Sequence, residues 1–420
     1  MLEVQGFHGL RFDPQKTGTL DHVITPPYDV ISPEERAALA AQGQYNMVHL
    51  ILPEEGEGIS RYEAAARLLE AWLAEGVIRQ DAEPSLYLLR QRYTDLYGAM
   101  QTRCGFFGLL RLPEEGERFI LGHERTFDKP VEDRLRLTQA TRANLEPIFS
   151  LYADQTGELE WFYHPIKERK PDMTANTVDG VRQELWRVPH DPRISEFLQD
   201  QTLYIADGHH RFRTALIYRD RMRAAAKTQT QGTQPWDFVL TGFVSLHDSG
   251  LKIYPAHRVV EQLDSFDPDT LLRTLKRYFE VVPVEGNLAV QVRRSRARCA
   301  IGVCIAGRGD FVLRLRENDR VELLGDDHGP AWRDLDVAVL HRGILERILK
   351  IPEGAEFRYE TDAARAMAMP REGRAVLAFI LRATRPDQIC ACAEAGEAMP
   401  QKSTYFFPKL PSGAVIYRLA

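Results

Sequence analysis

The sequence predicts an α/β fold with mixed sheets, with α+β as the near alternative, and three observations carry that expectation. Short apolar runs of strand length alternate with longer stretches of helical periodicity from one end to the other. The 420 residues are 44% hydrophobic and 27% charged, a globular composition with enough apolar side chain for more than one core. No internal repeat or low-complexity segment interrupts the alternation.

The first clear helix runs from Arg61 to Glu75. Ser60 and Glu63 have capping-box spacing, and Gly76 stands where a C-terminal glycine belongs. Ile59, Tyr62, Leu69, Trp72 and Leu73 recur at helical spacing and make one apolar face. Strand-like runs follow at Leu86 to Arg90, Gly105 to Leu112 and Arg118 to Leu121. Glu132 to Leu145 reads as a helix with a polar face, and Phe149 to Tyr152 and Leu159 to Tyr163 as strands. Leu203 to Ala206 is a short apolar strand ending at Asp207-Gly208, after which a helix runs from His209 to about Ala225. Lys227 to Pro235 reads as a loop and Phe238 to Leu246 as a strand. Later, Asp269 to Phe279, Asp334 to Leu349 and Asp387 to Glu397 are expected as helices. Cys299 to Ile305, Phe311 to Leu315, Val321 to Leu324, Ala375 to Leu381 and Val415 to Leu419 are expected as strands. The best candidate boundaries are the loop near residue 230 and the turn at Gly250. The expected division is a core over residues 1–250 and a second region over 251–420 whose C-terminal loop returns to the active site.

The formal charge is −6, from 54 basic and 60 acidic residues, so there is no bulk attraction to nucleic acid or to an anionic membrane. Five sparse cysteines argue for a reducing compartment rather than a disulfide framework, and Cys390 and Cys392 read as helix residues. The opening MLEVQGFHGLRFDP lacks a signal-peptide pattern, and the longest apolar run, Ala375 to Ile380, is too short to span a bilayer. A cytoplasmic protein is expected; its oligomeric state is open.

The strongest chemical signal is Asp207-Gly208-His209-His210-Arg211, where a strand ends, a glycine permits a tight turn and a helix begins. Helix N-termini favour anions, and two histidines and an arginine in one first turn concentrate donors for phosphate oxygens. Asp207 is a candidate ligand for Mg²⁺ or a group to orient a hydroxyl, or simply a cap. A second group, His123-Glu124 with Lys129, Asp133 and Arg134, offers Glu124 as a general base and Lys129 and Arg134 as anion contacts, or an ordinary solvated helix start with local salt bridges. Asn144 and Glu146 read equally well as polar surface. In a third, Lys402, Ser403, Thr404 and Lys409 suggest a phosphate- or carboxylate-binding loop, although the glycines of a P-loop are absent. The prolines of Pro26-Pro27-Tyr28-Asp29 stiffen a turn, which makes Asp29 a candidate ligand for a metal or a substrate ammonium, or a cap in a rigid structural turn. His257-Arg258 is a weaker anion candidate.

Taken together, these motifs and Pro255-Ala256-His257-Arg258, in this order, resemble a widespread prokaryotic family known only as a domain of unknown function. The resemblance runs from about residue 10 to about residue 415. The Asp-Gly-His-His-Arg run is also similar to the signature of the ParB/sulfiredoxin-like superfamily, which includes free serine kinases. That resemblance implies a ParB/sulfiredoxin-like nucleotide-binding core with large additions. It implies that Gly208, His209, His210 and Arg211 meet nucleotide phosphates, with Asp207 near the metal or the acceptor and Glu124 as the base. The expected activity is transfer of the γ-phosphate of ATP, with Mg²⁺, to a small hydroxyl compound, free L-serine foremost. Asp207, His209, His210 and Glu124 are the expected catalytic residues; Lys402, Ser403 and Thr404 would add cofactor contacts. Asp29, His123, Arg134, His257 and Arg258 are the expected substrate contacts. A ParB-like nucleotide-dependent regulator and a nucleotide hydrolase or phosphatase are the alternatives.

Overall fold

A computed structural model describes residues 1–226, 232–352, 354–355 and 357–419. The candidate boundary near residue 230 lies outside the described residues. The chain divides into two compact units, the first built from residues 1–122, 126–252 and 408–420 and the second from 123–125 and 253–407.

In the first unit, nine strands form a mixed sheet among the described residues. They are β1 (Val4–Gln5), β2 (Ser85–Thr94), β3 (Met100–Arg111), β4 (Ile120–Leu121), β5 (Ile148–Tyr152), β6 (Met173–Asn176), β7 (Arg182–Pro189), β8 (Leu203–Asp207) and β9 (Phe238–Ser245). Their order is β4-β8-β5-β9-β3-β2-β7-β6, with β1 added beside β3. The pairs β8/β4 and β9/β5 are parallel and the others antiparallel. The central strands read as unbroken apolar runs because both faces are covered; β9 is buried from Phe238 to Val244. Phe106 and Phe243 stack across β3 and β9 with centroids 4.8 Å apart, inside a core that also holds Leu88, Trp186 and Ile205.

Four helices of this unit concern the site: α1 (Pro33–Gln42), α2 (Arg61–Ala74), α3 (Asp128–Thr141) and α4 (His209–Ala225). Ser32 and Glu35 form a full capping box on α1. On α2, Ser60 accepts from the Glu63 amide as its spacing predicts, while Ala65, Leu69 and Trp72 make the buried stripe. α3 begins four residues before the expected start and ends at Arg142, whose φ of 48° stops it. The segment from Pro408 onward belongs to this first unit rather than to the second region expected from sequence. Thr25 and Ser412 exchange backbone hydrogen bonds in both directions, as do Leu10 and Ile416, and these ties hold it there.

The second unit contains a six-stranded antiparallel sheet: β10 (His257–Val260), β11 (Phe279–Pro283), β12 (Ala300–Ile305), β13 (Gly309–Leu315), β14 (Arg358–Glu360) and β15 (Leu377–Ile380). Its order is β11-β13-β12-β15-β10-β14. Leu288, Val292, Val259 and Ala378 lie in its core.

Two strand expectations fail. Glu160–Tyr163 is a 3₁₀ turn, because Leu159 and Phe162 bury at a spacing of three rather than alternating. Arg320–Leu324 is a short helix that turns Leu323 and Leu324 inward and leaves Val321 exposed. All five cysteines are free thiols, and Cys390 and Cys392 lie on the helix Pro386–Glu394. Among the described residues, no helix is long and apolar enough to cross a membrane.

Candidate functional site

Strand β8 does not run straight into the turn. Ile205 pairs with Ser150 and Asp207 with Phe149, so Ala206 is an extra residue in the ladder. Such a bulge twists the strand end and re-aims the next side chain. Gly208 follows with φ 89° and ψ 27°, and the 17-residue helix α4 starts at once with no side chain capping it. Gly208→Ala is expected to lower stability by about 1–2 kcal/mol, since an L-residue is strained at this φ. An added Cβ would also approach the Arg211 guanidinium to 3.1 Å. A thermal melt checks this, and an unchanged midpoint would mean that the turn tolerates a side chain.

Asp207 is the hub. Its Oδ2 accepts from Arg211 Nη2 at 2.8 Å and its Oδ1 from Lys409 Nζ at 2.9 Å. Burial by itself would raise this carboxyl, but Lys409 and Arg211 hold it well below the usual carboxylate range. Arg211 also donates to the carbonyl of Pro147. Burial, only partly offset by Asp207, pushes His209 down to about 4, so its imidazole is neutral at pH 7. Gly122 leaves room for that ring: a Cβ there would stand 2.9 Å from His209 Cδ2. The second histidine plays a different part. His210 Nε2 accepts from the Phe127 amide at 3.1 Å, and Phe127 is the N-cap residue of α3. Together with the Thr214–Val131 and Arg213–Asp128 contacts, this sets the starts of α3 and α4 side by side.

A second buried carboxylate joins the network. Glu146 accepts from the Tyr28 amide and from the Ser412 hydroxyl, both at 2.9 Å, and lies 3.9 Å from Arg134. Burial pushes its pKa up, against the pull of Arg211 and Arg134. The expectation that Glu146 is polar surface is therefore corrected: it is 7% exposed, and Asn144 caps the Leu240 amide. Arg134 is equally interior. It lies over the Tyr28 ring at 4.1 Å and donates to Asp133 and to the Ile51 carbonyl. Its donors thus serve the protein itself, where the sequence led to the expectation of a substrate contact. Asp29, in contrast, is exposed beside the Tyr28 turn.

The remaining sequence candidates belong to the second unit. His123 Nε2 lies 3.1 Å from Thr404 Oγ1, and Glu124 bridges to Met399. Ser403 turns its hydroxyl onto the Pro400 carbonyl, so of the Lys402-Ser403-Thr404 run only Lys402, at φ 54°, is exposed. Arg258 is wholly buried and donates to the carbonyls of Ala256, Gln401 and Lys402 and to His341. His257 accepts from the Leu381 amide, and burial lowers it to about 4. His257 and Arg258 thus form an internal clasp under the 401–402 turn, Arg258 donating to the Gln401 and Lys402 carbonyls and His257 accepting from Leu381, rather than an exposed anion contact.

Asp207 offers a poor seat for Mg²⁺, because a cation already occupies each of its oxygens. Among the described residues, no group of three or more His, Cys, Asp or Glu is placed to hold a metal ion. Sequence reasoning missed Glu146 and Ser412 as members of the network and placed Lys409 with the wrong loop. A carboxylate flanked by Leu145 and by Pro147-Ile148 was the available signal for Glu146.

Among solved structures, the chain is similar to a free serine kinase in complex with AMP, at 14% identity and a TM-score of 0.36, covering 71% of this chain and 86% of that one. It is similar to a conserved hypothetical protein from Pyrococcus furiosus at 14% identity and TM-score 0.34, covering 73% and 93%. It is similar also to a C-terminally truncated SbnI from Staphylococcus aureus at 13% identity and TM-score 0.35, covering 73% and 85%. No curated relative matches it. A family profile matches residues 4–338, most of the chain, and the chain therefore belongs to the DUF1015 family, proteins of unknown function.

Proposed function

We propose that the chain is a nucleotide-dependent phosphotransferase acting on a small hydroxyl compound, with free L-serine as the first acceptor to test. The observation that carries this reading is the junction itself: a bulged strand end, the left-handed Gly208 and the uncapped start of α4, with two cations around one carboxylate. A helix start of this kind favours phosphate oxygens, and phosphoryl transfer depends mainly on positioning and charge stabilisation. ATP would meet the Gly208–Arg211 turn with its phosphates and supply the transferable group. Arg211 and Lys409 would keep Asp207 ionised and fixed; neutral His209 would brace the turn; His210 would be the histidine with access to the anion. Asp207, with its two oxygens taken by Arg211 and Lys409, acts in this reading as a charge partner and not as a metal ligand.

The test is ATP turnover in a Mg²⁺ buffer, with and without a panel of free amino acids and small alcohols, following phosphorylated products by mass spectrometry. A phosphorylated acceptor is expected, with turnover at least about tenfold lower in His210→Ala, the loss expected for one contact to a charged group. ATP loss without a phosphorylated acceptor would replace the reading with hydrolysis, and binding without turnover would replace it with a regulatory role.

A further inference from the structure

The first unit contains a cleft of about 750 Å³ that holds none of the Asp207–Arg211 residues. Its volume falls in the range of small-molecule sites and is far larger than a free amino acid requires. Five cations line it, Arg36, Arg61, Lys129, Arg134 and Arg136, against three carboxylates. Arg134 is already matched by Asp133 and Glu146 inside the wall, so the positive charge left without a carboxylate is that of Lys129.

The cations differ in how they are held. Arg36 is paired with Glu54 at 2.5 Å and Arg61 with Asp133 at 2.5 Å, while Arg136 pairs with Glu132 along the surface of α3. Arg134 is buried in the wall. Lys129 is exposed and makes no ion pair among the described residues. The cleft also lies where helices begin. Ser32 and Pro33 start α1, Arg61 and Tyr62 start α2, and Lys129 and Pro130 belong to the first turn of α3, which has no side-chain cap. The start of α3, which no side chain caps, adds partial positive charge beside Lys129. The rest of the wall is apolar or aromatic, with Ile31, Leu52, Pro53 and Tyr28.

We propose that this cleft binds a small phosphate monoester, its dianionic phosphoryl group held by Lys129 and Arg61 and its carbon skeleton lying against Leu52, Ile31 and Tyr28. Two cations side by side, Lys129 and Arg61, match a phosphate dianion better than a single carboxylate. The apolar wall calls for a carbon body beyond inorganic phosphate. Lys129 is the cation free to turn to the ligand without breaking an existing pair. This site does not depend on the phosphotransfer reading: binding is expected without nucleotide, whatever reaction the Asp207 junction performs.

The test is calorimetric titration of the full chain with glycerol 3-phosphate, glucose 6-phosphate, fructose 6-phosphate and ADP, with glucose, glycerol and inorganic phosphate as controls. At least one sugar or polyol phosphate is expected to bind, more tightly than its unphosphorylated parent and than inorganic phosphate. Lys129→Ala should weaken it by about tenfold, the effect of losing one contact between charged groups. Lys170→Ala, an exposed lysine outside the cleft, should leave it unchanged. The proposal is overturned if no ester binds better than its parent, or if Lys129→Ala and Lys170→Ala behave alike. It is overturned too if ADP alone responds to Lys129→Ala, since the cleft would then be the nucleotide's own.

Discussion

Asp207→Asn is expected to destabilise the first unit by roughly 3–5 kcal/mol at pH 7, the loss typical when one partner of a buried ion cluster is removed. The substitution keeps the shape of the side chain and deletes the charge. It leaves Lys409, 8% exposed, and Arg211, 9% exposed, without the carboxylate that both oxygens now offer them. The pH dependence has a definite sign. The folded-state carboxyl is depressed, so its contribution is fully present above the unfolded value of about 3.9 and is lost as pH falls from there toward the folded value. The gap between wild type and Asp207→Asn should therefore be constant from pH 7 to pH 5 and narrow only below about pH 4. Urea unfolding at a series of pH values measures it, with hydrogen exchange in β8 assigning the loss to the first unit. A gap under about 1 kcal/mol, the value of an exposed pair, would mean that water already screens the cluster.

Arg258→Ala should have a comparable effect in the second unit. This arginine is fully buried, and burial lowers its guanidinium to about 10, yet it is held by carbonyls, His341 and the Tyr359 ring. Removing it leaves several acceptors unsatisfied and a cavity behind, and a loss of about 3 kcal/mol or more is expected. Arg258→Lys should recover little, because an ammonium cannot reproduce the planar fork that reaches Gln401 and Lys402 together. The distinctive readout is faster hydrogen exchange around residues 400–404, where Arg258 anchors the turn. If exchange there is unchanged while global stability falls, Arg258 acts as core volume and not as a clasp.

Much of the fold was legible because its signals are local. The helix from Arg61 declares itself through the Ser60 cap and the Leu69–Trp72 stripe, both readable within a few turns of chain. The helix predicted from His209 to Ala225 matches the observed α4 at both ends, since an apolar strand, a glycine and a helical pattern adjoin without a gap. Legibility failed where short apolar runs were ambiguous. Leu323-Leu324 and Leu159 with Phe162 can bury from a single helical turn as readily as from a strand, and neighbouring packing chose the turn. For the site, the residues of the Asp207–Arg211 junction were visible, but their division of labour was not. His209 and His210 are adjacent and identical in type, yet one is buried beside Gly122 and the other receives the Phe127 amide.

By itself, the sequence determined the α/β class, the strand-to-helix junction at Asp207-Gly208 and the concentration of polar chemistry there. Each depends on periodicity or on backbone preference within a few residues, and each survives whatever packs around it. Only the tertiary structure decided which charges meet. Lys409 reaches Asp207 across 202 residues of chain, and Glu146 becomes a buried partner of Tyr28 and Ser412 instead of a surface acid. A charged side chain looks the same in sequence whether water or protein surrounds it. Desolvation and the identity of the facing cation separate a solvated residue from a structural hub, and both arise only when distant segments are brought together.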